Sequence, residues 1–340
     1  MVRAMTPEEL LAKGFEDFEK GDFAAAQSAG DQALARDENT PEAHVLLGLC
    51  ALADLDGDLA MLRFERAITL DPDYVDPKLH AAEMLIADGD LERALKFAEE
   101  ALDVAEEEDD FLDALLLKAG IEADLEDPDA AASTLSELPP TDVALPDLAF
   151  HLRAAEIFLA IEDADQAEAH YRMVLKSDPK LADAHYGLGL CAEARGEDEE
   201  KVSHFQETRR LDAAAEPSQT PIDRAKLEEI VERTLRELPE RARKLLGNVP
   251  VLVEDAPSEE LVAEGTDPRV LGLFAGVPFP EKSSMGGAPH LDQVLLFKRN
   301  LENHCGSADE LEEEVRTTIL HETGHFFGLD EEDLAKLGLD

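Results

Sequence analysis

Two histidines, His321 and His325, stand four residues apart in the stretch ILHETGHFFGLDEEDL, residues 319–334. On a helix that spacing puts both imidazoles on one face, one turn apart, so two ring nitrogens can reach one ion. Glu322 follows the first histidine, and Gly328 comes three residues after the second. Glycine can adopt the left-handed turn that ends a helix, which lets the chain turn back and bring the Glu331 carboxylate to the same ion. Two imidazoles, a carboxylate and one open position make a ligand set for hydrolytic zinc, which lowers the pKa of a bound water to about 7. Glu322 is then placed to take that water's proton. A different reading of the tail has Asp330 capping a short final helix, with Glu331 and Glu332 favouring its N-terminus. An HExxH pattern followed at fixed offsets by glycine and an acid arises by chance in fewer than about one such sequence in a thousand.

Such a site needs a rigid helix backed by a sheet. Ser307 and Glu310 in SADE predict a capping box, and the helix is expected over about 308–327. Leu311, Val315, Ile319 and Phe326 fall on a different stripe from the histidines and can pack against a sheet. Upstream, the pattern predicts a helix over 223–247 and strands in NVPVLVEDA, VLGLFAG and DQVLLFKRN. The loop VPFPEKSSMGGAPHLD between the last two strands can cover a site. Strand 292–299, if it lies at a sheet edge, could hold a substrate backbone by strand addition. All three tyrosines lie before residue 187. An oxyanion would therefore fall to His290, His304 or Arg299. Cys305 reads as a buried thiol, with a stray ligand as the alternative.

From LEEIVERTLRELPE through VPVLVEDAP, LGLFAGVP and VLLFKRNLE to HETGHFFGLDEEDL, about 118 residues resemble a bacterial family of minimal zincin-like metallopeptidases. That family places an acidic third ligand after the glycine. The resemblance thus implies Glu331 as the third ligand beside His321 and His325, with Glu332 and Asp333 as alternatives, and Glu322 as the general base.

The first two thirds of the chain have a period. Gly14, Gly48 and Ala82 are each 34 residues apart, as are Ala26, Ala60 and Ala94, and Ala33, Ala67 and Ala101. Each unit reads as a helical hairpin, and six units follow one another at spacings of 34, 34, 37, 36 and 34. These residues, with Gly21, Phe64, Pro72 and Gly89, resemble tetratricopeptide repeats over roughly residues 8–213. The resemblance implies a superhelix whose groove takes a protein or peptide. Leu138, Lys201 and Thr208 depart from the small residues of the pattern, which suggests a frayed or capping end. Cys50 and Cys191 read as core thiols. The six histidines of this region (His44, His80, His151, His170, His185, His204) show no ligand spacing and read as ordinary helix residues. The run EEEDD at 106–110 reads as a solvated loop.

The chain carries 79 Asp and Glu against 31 Lys and Arg, a formal charge of −48. Net charge is −35 over residues 1–222 and −13 over 223–340. That excess repels phosphate backbones and anionic lipid, so neither nucleic acid nor membrane is an expected partner, and basic partners are favoured. The start MVRAMTPEEL lacks a signal-like apolar run, and three scattered cysteines form no disulfide framework, so a cytoplasmic location is expected. The sequence therefore predicts a mainly α chain: a repeat domain over 1–213, a linker at 214–222 rich in proline and small polar residues, and a small α+β zincin-like domain over 223–340. Its expected activity is peptide-bond hydrolysis with Zn2+. The rival expectation is an adaptor whose zincin-like module holds zinc without catalysis.

Overall fold

The computed structural model describes residues 5–141, 143, 145–216, 221–237, 240, 249–276 and 292–329. By contacts the chain divides into two compact units, Met1–Pro179 and Lys180–Asp340.

The first unit holds five helical hairpins among its described residues: α1 (Pro7–Glu19) with α2 (Phe23–Leu34), α3 (Pro41–Ala53) with α4 (Gly57–Leu70), α5 (Asp76–Ala87) with α6 (Leu91–Leu102), α7 (Glu108–Asp124) with α8 (Pro128–Leu135), and α9 (Leu148–Ala160) with α10 (Ala164–Ser177). Each hairpin turns by the same device. One residue goes left-handed, in order Gly21, Leu55, Gly89, Glu126 and Glu162, with φ between 59 and 77°. The next residue, Asp22, Asp56, Asp90, Asp127 or Asp163, accepts the N–H three positions on and caps the second helix. Each such cap stabilises by about 1 kcal/mol, and its negative charge suits the helix N-terminus. The recurring small residues admit neighbours: a Cβ on Gly48 would lie 2.5 Å from the Phe64 ring, and Ala26, Ala60 and Ala94 are fully buried.

Two sequence expectations change here. Residues 108–110 of the EEEDD run form the first turn of α7, where acids offset the helix dipole, and are not loop. The short α8 ends three residues before Leu138, so no helix contact demands a small side chain there.

The second unit begins with the sixth hairpin, α11 (Ala182–Arg195) and α12 (Asp198–Ala214), and residues 217–220 of the expected linker lie outside the described residues. α12 runs for 17 residues and is not frayed. Polar contacts tie the hairpin to the segments that follow it. Tyr186 donates to Asp267 at 2.8 Å. Arg269 forks onto Asp212 at 2.9 and 3.1 Å, reaches Asp183 at 2.8 Å, and lies 4.7 Å from the Tyr186 ring centroid. Arg299 donates to the Asp212 carbonyl at 2.7 Å, and Arg209 to that of Pro257 at 2.6 Å. Lys201, where the repeat pattern calls for a small residue, pairs with Glu193 at 3.3 Å and sits beside Gly265. Thr208, fully buried, satisfies its hydroxyl on the His204 carbonyl at 3.0 Å.

After the hairpin come α13 (Arg224–Glu237), β1 (Val251–Glu254), α14 (Glu259–Ala263), β2 (Gly272–Ala275), β3 (Gln293–Phe297), α15 (Lys298–His304) and α16 (Ala308–Phe326). The helix expected over 223–247 is described as far as Glu237, and 241–248 lie outside the described residues, as does loop 277–291. The sheet order is β1-β3-β2. β1 is parallel to β3 with Val253 opposite Leu296, and β2 is antiparallel to β3 with Phe274 opposite Val294. The condition for strand addition at 292–299 is therefore not met: β3 is the middle strand, paired on both sides, and the chain leaves it at Phe297 to form α15. The core joins Leu227, Ile230 and Val231 of α13 to Val253, Leu296, Leu301, Cys305, Leu311, Val315 and Ile319. That cluster fixes α16 against the sheet.

Candidate metal centre and its carboxylate

Local chemistry starts and stops α16. Ser307 Oγ accepts the Glu310 N–H at 3.2 Å, the forward half of the expected capping box. The return arm differs, because the Glu310 carboxylate accepts from Gly306 at 2.9 Å, one residue beyond the cap. The helix ends at Phe326, and Gly328 takes the left-handed turn at φ 80°. Leu311, Val315 and Ile319 are buried, while His321 and His325 lie on a separate, half-buried face.

His321 Nε2 and His325 Nε2 are 2.9 Å apart, with the rings at 78° to one another. His325 Nδ1 lies 3.2 Å from the Leu329 carbonyl. A carbonyl only accepts, so Nδ1 carries the hydrogen and Nε2 keeps its lone pair toward His321. Zinc binds imidazole at about 2.0–2.1 Å in a tetrahedral site, so one ion can take both nitrogens once they part by about 0.4 Å. The donor set fits zinc to that extent. Among the described residues no group of three or more His, Cys, Asp or Glu surrounds such a site. Glu331, Glu332 and Asp333 lie outside the described residues.

Glu322 points away from solvent, 6% exposed, and its Oε2 accepts the Phe274 N–H of β2 at 2.5 Å. Gly272 makes room for it. A Cβ there would lie 3.0 Å from Glu322 Cγ, 3.3 Å from Oε1 and 2.6 Å from Thr318 Cγ2. The Phe274 ring meets Phe326 edge-on, with centroids 5.8 Å apart, which ties β2 to the last turn of α16.

The other candidates separate. Arg299 is committed to the Asp212 carbonyl. His304 sits 4.0 Å from Glu314 and lines a cavity of about 420 Å3 with Asp183, Asp212 and Arg269. His290 lies outside the described residues. Cys305 is buried in the core, its thiol pKa pushed up by burial, and Cys50 and Cys191 are buried thiols outside any disulfide. Two further histidine pairs appear that sequence reading passed over. His151 Nδ1 is 2.9 Å from His170 Nδ1, and His185 Nδ1 is 3.1 Å from His204 Nδ1. Both pairs bridge a hairpin at a spacing of 19, and they recur 34 residues apart. The period held that signal, since a residue on the first helix of a hairpin faces its counterpart on the second.

A family model described as zincin-like metallopeptidase matches residues 246–339, and a tetratricopeptide repeat model matches residues 11–75 and 152–216. The chain thus joins tetratricopeptide repeats to a zincin-like metallopeptidase domain. Among solved structures it is similar to PilF of Pseudomonas aeruginosa, at 14% identity over 62% of this chain and 93% of that one, with a TM-score of 0.52. It is also similar to PilW, a widely conserved type IV pilus biogenesis factor, at 15% identity over 63% of this chain and 97% of that one, with a TM-score of 0.53. At such identities the likeness is one of fold. No curated protein matches the chain. No helix among the described residues is long and apolar enough to cross a membrane.

Proposed function

We propose that the chain is a cytoplasmic zinc-dependent peptidase whose repeat array, residues 1–213, binds a protein or peptide, and whose domain over 223–340 hydrolyses a peptide bond. The observation that carries the reading is the convergence of His321 and His325 with their ring nitrogens 2.9 Å apart, with the buried carboxylate of Glu322 on the intervening turn. His321, His325 and Glu331 would hold the ion, and the Leu329 carbonyl keeps the His325 ring turned toward it. When bound, zinc supplies a polarised scissile carbonyl and a water acidic enough to ionise near neutral pH. Glu322 accepts the proton of the attacking water and returns it to the leaving amine. The outer edge of β2, which no described strand covers, can pair with an extended substrate backbone.

The full chain is to be incubated with a diverse peptide library as purified, after chelation, and after zinc is restored. Cleavage that vanishes and returns is the expected outcome. A chain that binds zinc, cuts nothing, and captures a defined protein intact would instead be the adaptor.

A further inference from the structure

A cavity of about 420 Å3 opens within the second unit, against residues that the proposed reaction does not use. Its wall is composite. Asp183 and Asp212 come from the sixth hairpin, Arg269 and Leu271 from the segment before β2, and Asn300 and Asn303 from α15. The volume lies in the range of clefts that take small ligands or side chains.

The hydrogen-bonding groups of the wall decide what it can hold. Arg269 turns its guanidinium fork onto Asp212 at 2.9 and 3.1 Å and meets Asp183 through a single carboxylate oxygen at 2.8 Å. Asn300 spends its Nδ2 on the Pro268 and Val270 carbonyls, at 2.9 and 2.7 Å, so its oxygen is left as an acceptor. Behind the wall, Asp267 takes the Tyr186 hydroxyl at 2.8 Å, Glu314 lies 4.0 Å from His304, and Arg299 reaches the Asp212 carbonyl at 2.7 Å. Asp183, Asp212, Asp267 and Glu314 are thus set against Arg269 and Arg299, and the neighbourhood stays negative. Such a wall calls for a cationic donor. Leu271, partly buried, offers an apolar surface to the aliphatic stem that carries one.

The cavity also stands at a fixed remove from the histidine pair. A Cβ on Gly272 would lie 2.6 Å from Thr318 Cγ2, and Phe274 donates to Glu322 at 2.5 Å. Two residues of β2 therefore keep step with four of α16, as rises of about 3.3 and 1.5 Å per residue require of elements running side by side. Leu271 is one step before Gly272, which puts the cavity end of β2 roughly 10 Å before the level of His321 and His325. An extended peptide covers that distance in about three residues. We propose that the cavity is a specificity subsite, taking the arginine or lysine side chain of a substrate about three residues from the scissile bond. The inference rests on the peptidase reading and names its substrate class. Through Asp183 and Asp212 the last repeat hairpin becomes a wall of the substrate site, so the repeats take part in selecting the bond that is cut.

Binding is measured first, without metal. N-acetyl-arginine amide is titrated into the zinc-free full chain, with N-acetyl-norleucine amide as control, and the backbone amide signals of Leu271 and Asn303 are followed by NMR. Arginine amide is expected to shift both to saturation and norleucine amide neither. Asn303 is exposed, so Asn303→Lys places a like charge on the wall without touching the core; affinity for arginine amide, read at Leu271, should fall roughly tenfold. Equal shifts with the two amides, or none with arginine amide, overturn the pocket. Zinc-loaded full chain is then given a peptide library. Arg or Lys is expected about three residues from the cleaved bond, at roughly tenfold excess over neutral residues of similar size, and Asp183→Asn should shrink that ratio several-fold. Cleavage without such a preference overturns the subsite and leaves the peptidase reading in place. Absence of all hydrolysis by the zinc-loaded wild type removes the peptidase reading and the substrate role with it, even where arginine amide binds.

Discussion

Among the described residues three pairs of histidines bring ring nitrogens to about 3 Å, and they are not alike. His151 and His170 face each other across a hairpin and are nearly enclosed, at 3 and 2% exposure, and His151 Nε2 has no hydrogen-bond partner. His321 and His325 stand one helical turn apart on a half-open face. Leu329 fixes one ring from behind, and a buried carboxylate lies on the next residue. Proximity of two imidazoles is thus cheap in a repeat fold, where one hairpin interior supplies it and the period copies it to His185 and His204. A metal site needs more: a fixed tautomer, an approach from solvent, and a third donor. The first pair packs a core; the second has the fixed ring and the half-open face, and its third donor is the one proposed at Glu331.

The sharpest break between them is metal retention. His321→Ala or His325→Ala is expected to abolish bound zinc by elemental analysis, a loss beyond the ~10–100-fold that a change behind the ligands costs. His170→Phe and His185→Ala should leave the zinc content at one per chain. Glu331→Ala comes next, weakening zinc in competition titrations more than Glu332→Ala or Asp333→Ala does. A larger effect at Asp333 would move the third ligand without disturbing the comparison.

Acid should act on the enclosed pair. Burial and the neighbouring His151 push the His170 pKa down to about 4, and burial, then Lys176, lowers that of His151. A histidine depressed on folding is neutral in the folded chain while the unfolded chain still takes up a proton near pH 6.5. Its contribution is therefore whole above about pH 6.5 and is lost as pH falls toward 4, by about 3 kcal/mol for His170. Urea midpoints of wild type and His170→Phe compared from pH 7 to pH 4 should converge by that amount. The smallest effect concerns the loop behind the metal pair. Gly328→Ala forces a left-handed alanine, at a cost of about 1 kcal/mol, and tilts the Leu329 carbonyl; zinc affinity should drop about tenfold.

How much of this could be read in advance follows from the range of each interaction. The six hairpins were legible because small residues at a fixed period encode local helix contacts, and α16 was legible because its cap, apolar stripe and terminal glycine are all near one another in sequence. What escaped depends on long-range pairing. Nothing in DQVLLFKRN distinguishes a central strand from an edge, and its turn into α15 at Lys298 has no local sign. The Phe274 N–H that meets Glu322 is a backbone group and leaves no residue-type signal except Gly272, whose missing side chain is its trace. The histidine pairs of the repeats could have been found, since they recur at the repeat period with the same spacing of 19 residues. The Arg269 clamp on Asp183 and Asp212 joins segments more than 50 residues apart and had no local sign.

The central claim is that Glu322 serves the reaction, and turnover by Glu322→Gln tests it most directly. Gln keeps the shape and can still accept the Phe274 N–H through its amide oxygen, but it cannot take a proton from water. With zinc content matched to wild type, kcat/KM on any peptide the full chain cleaves is expected to fall ~10²–10⁴-fold. Turnover by Glu322→Gln equal to that of wild type at equal zinc would contradict the account.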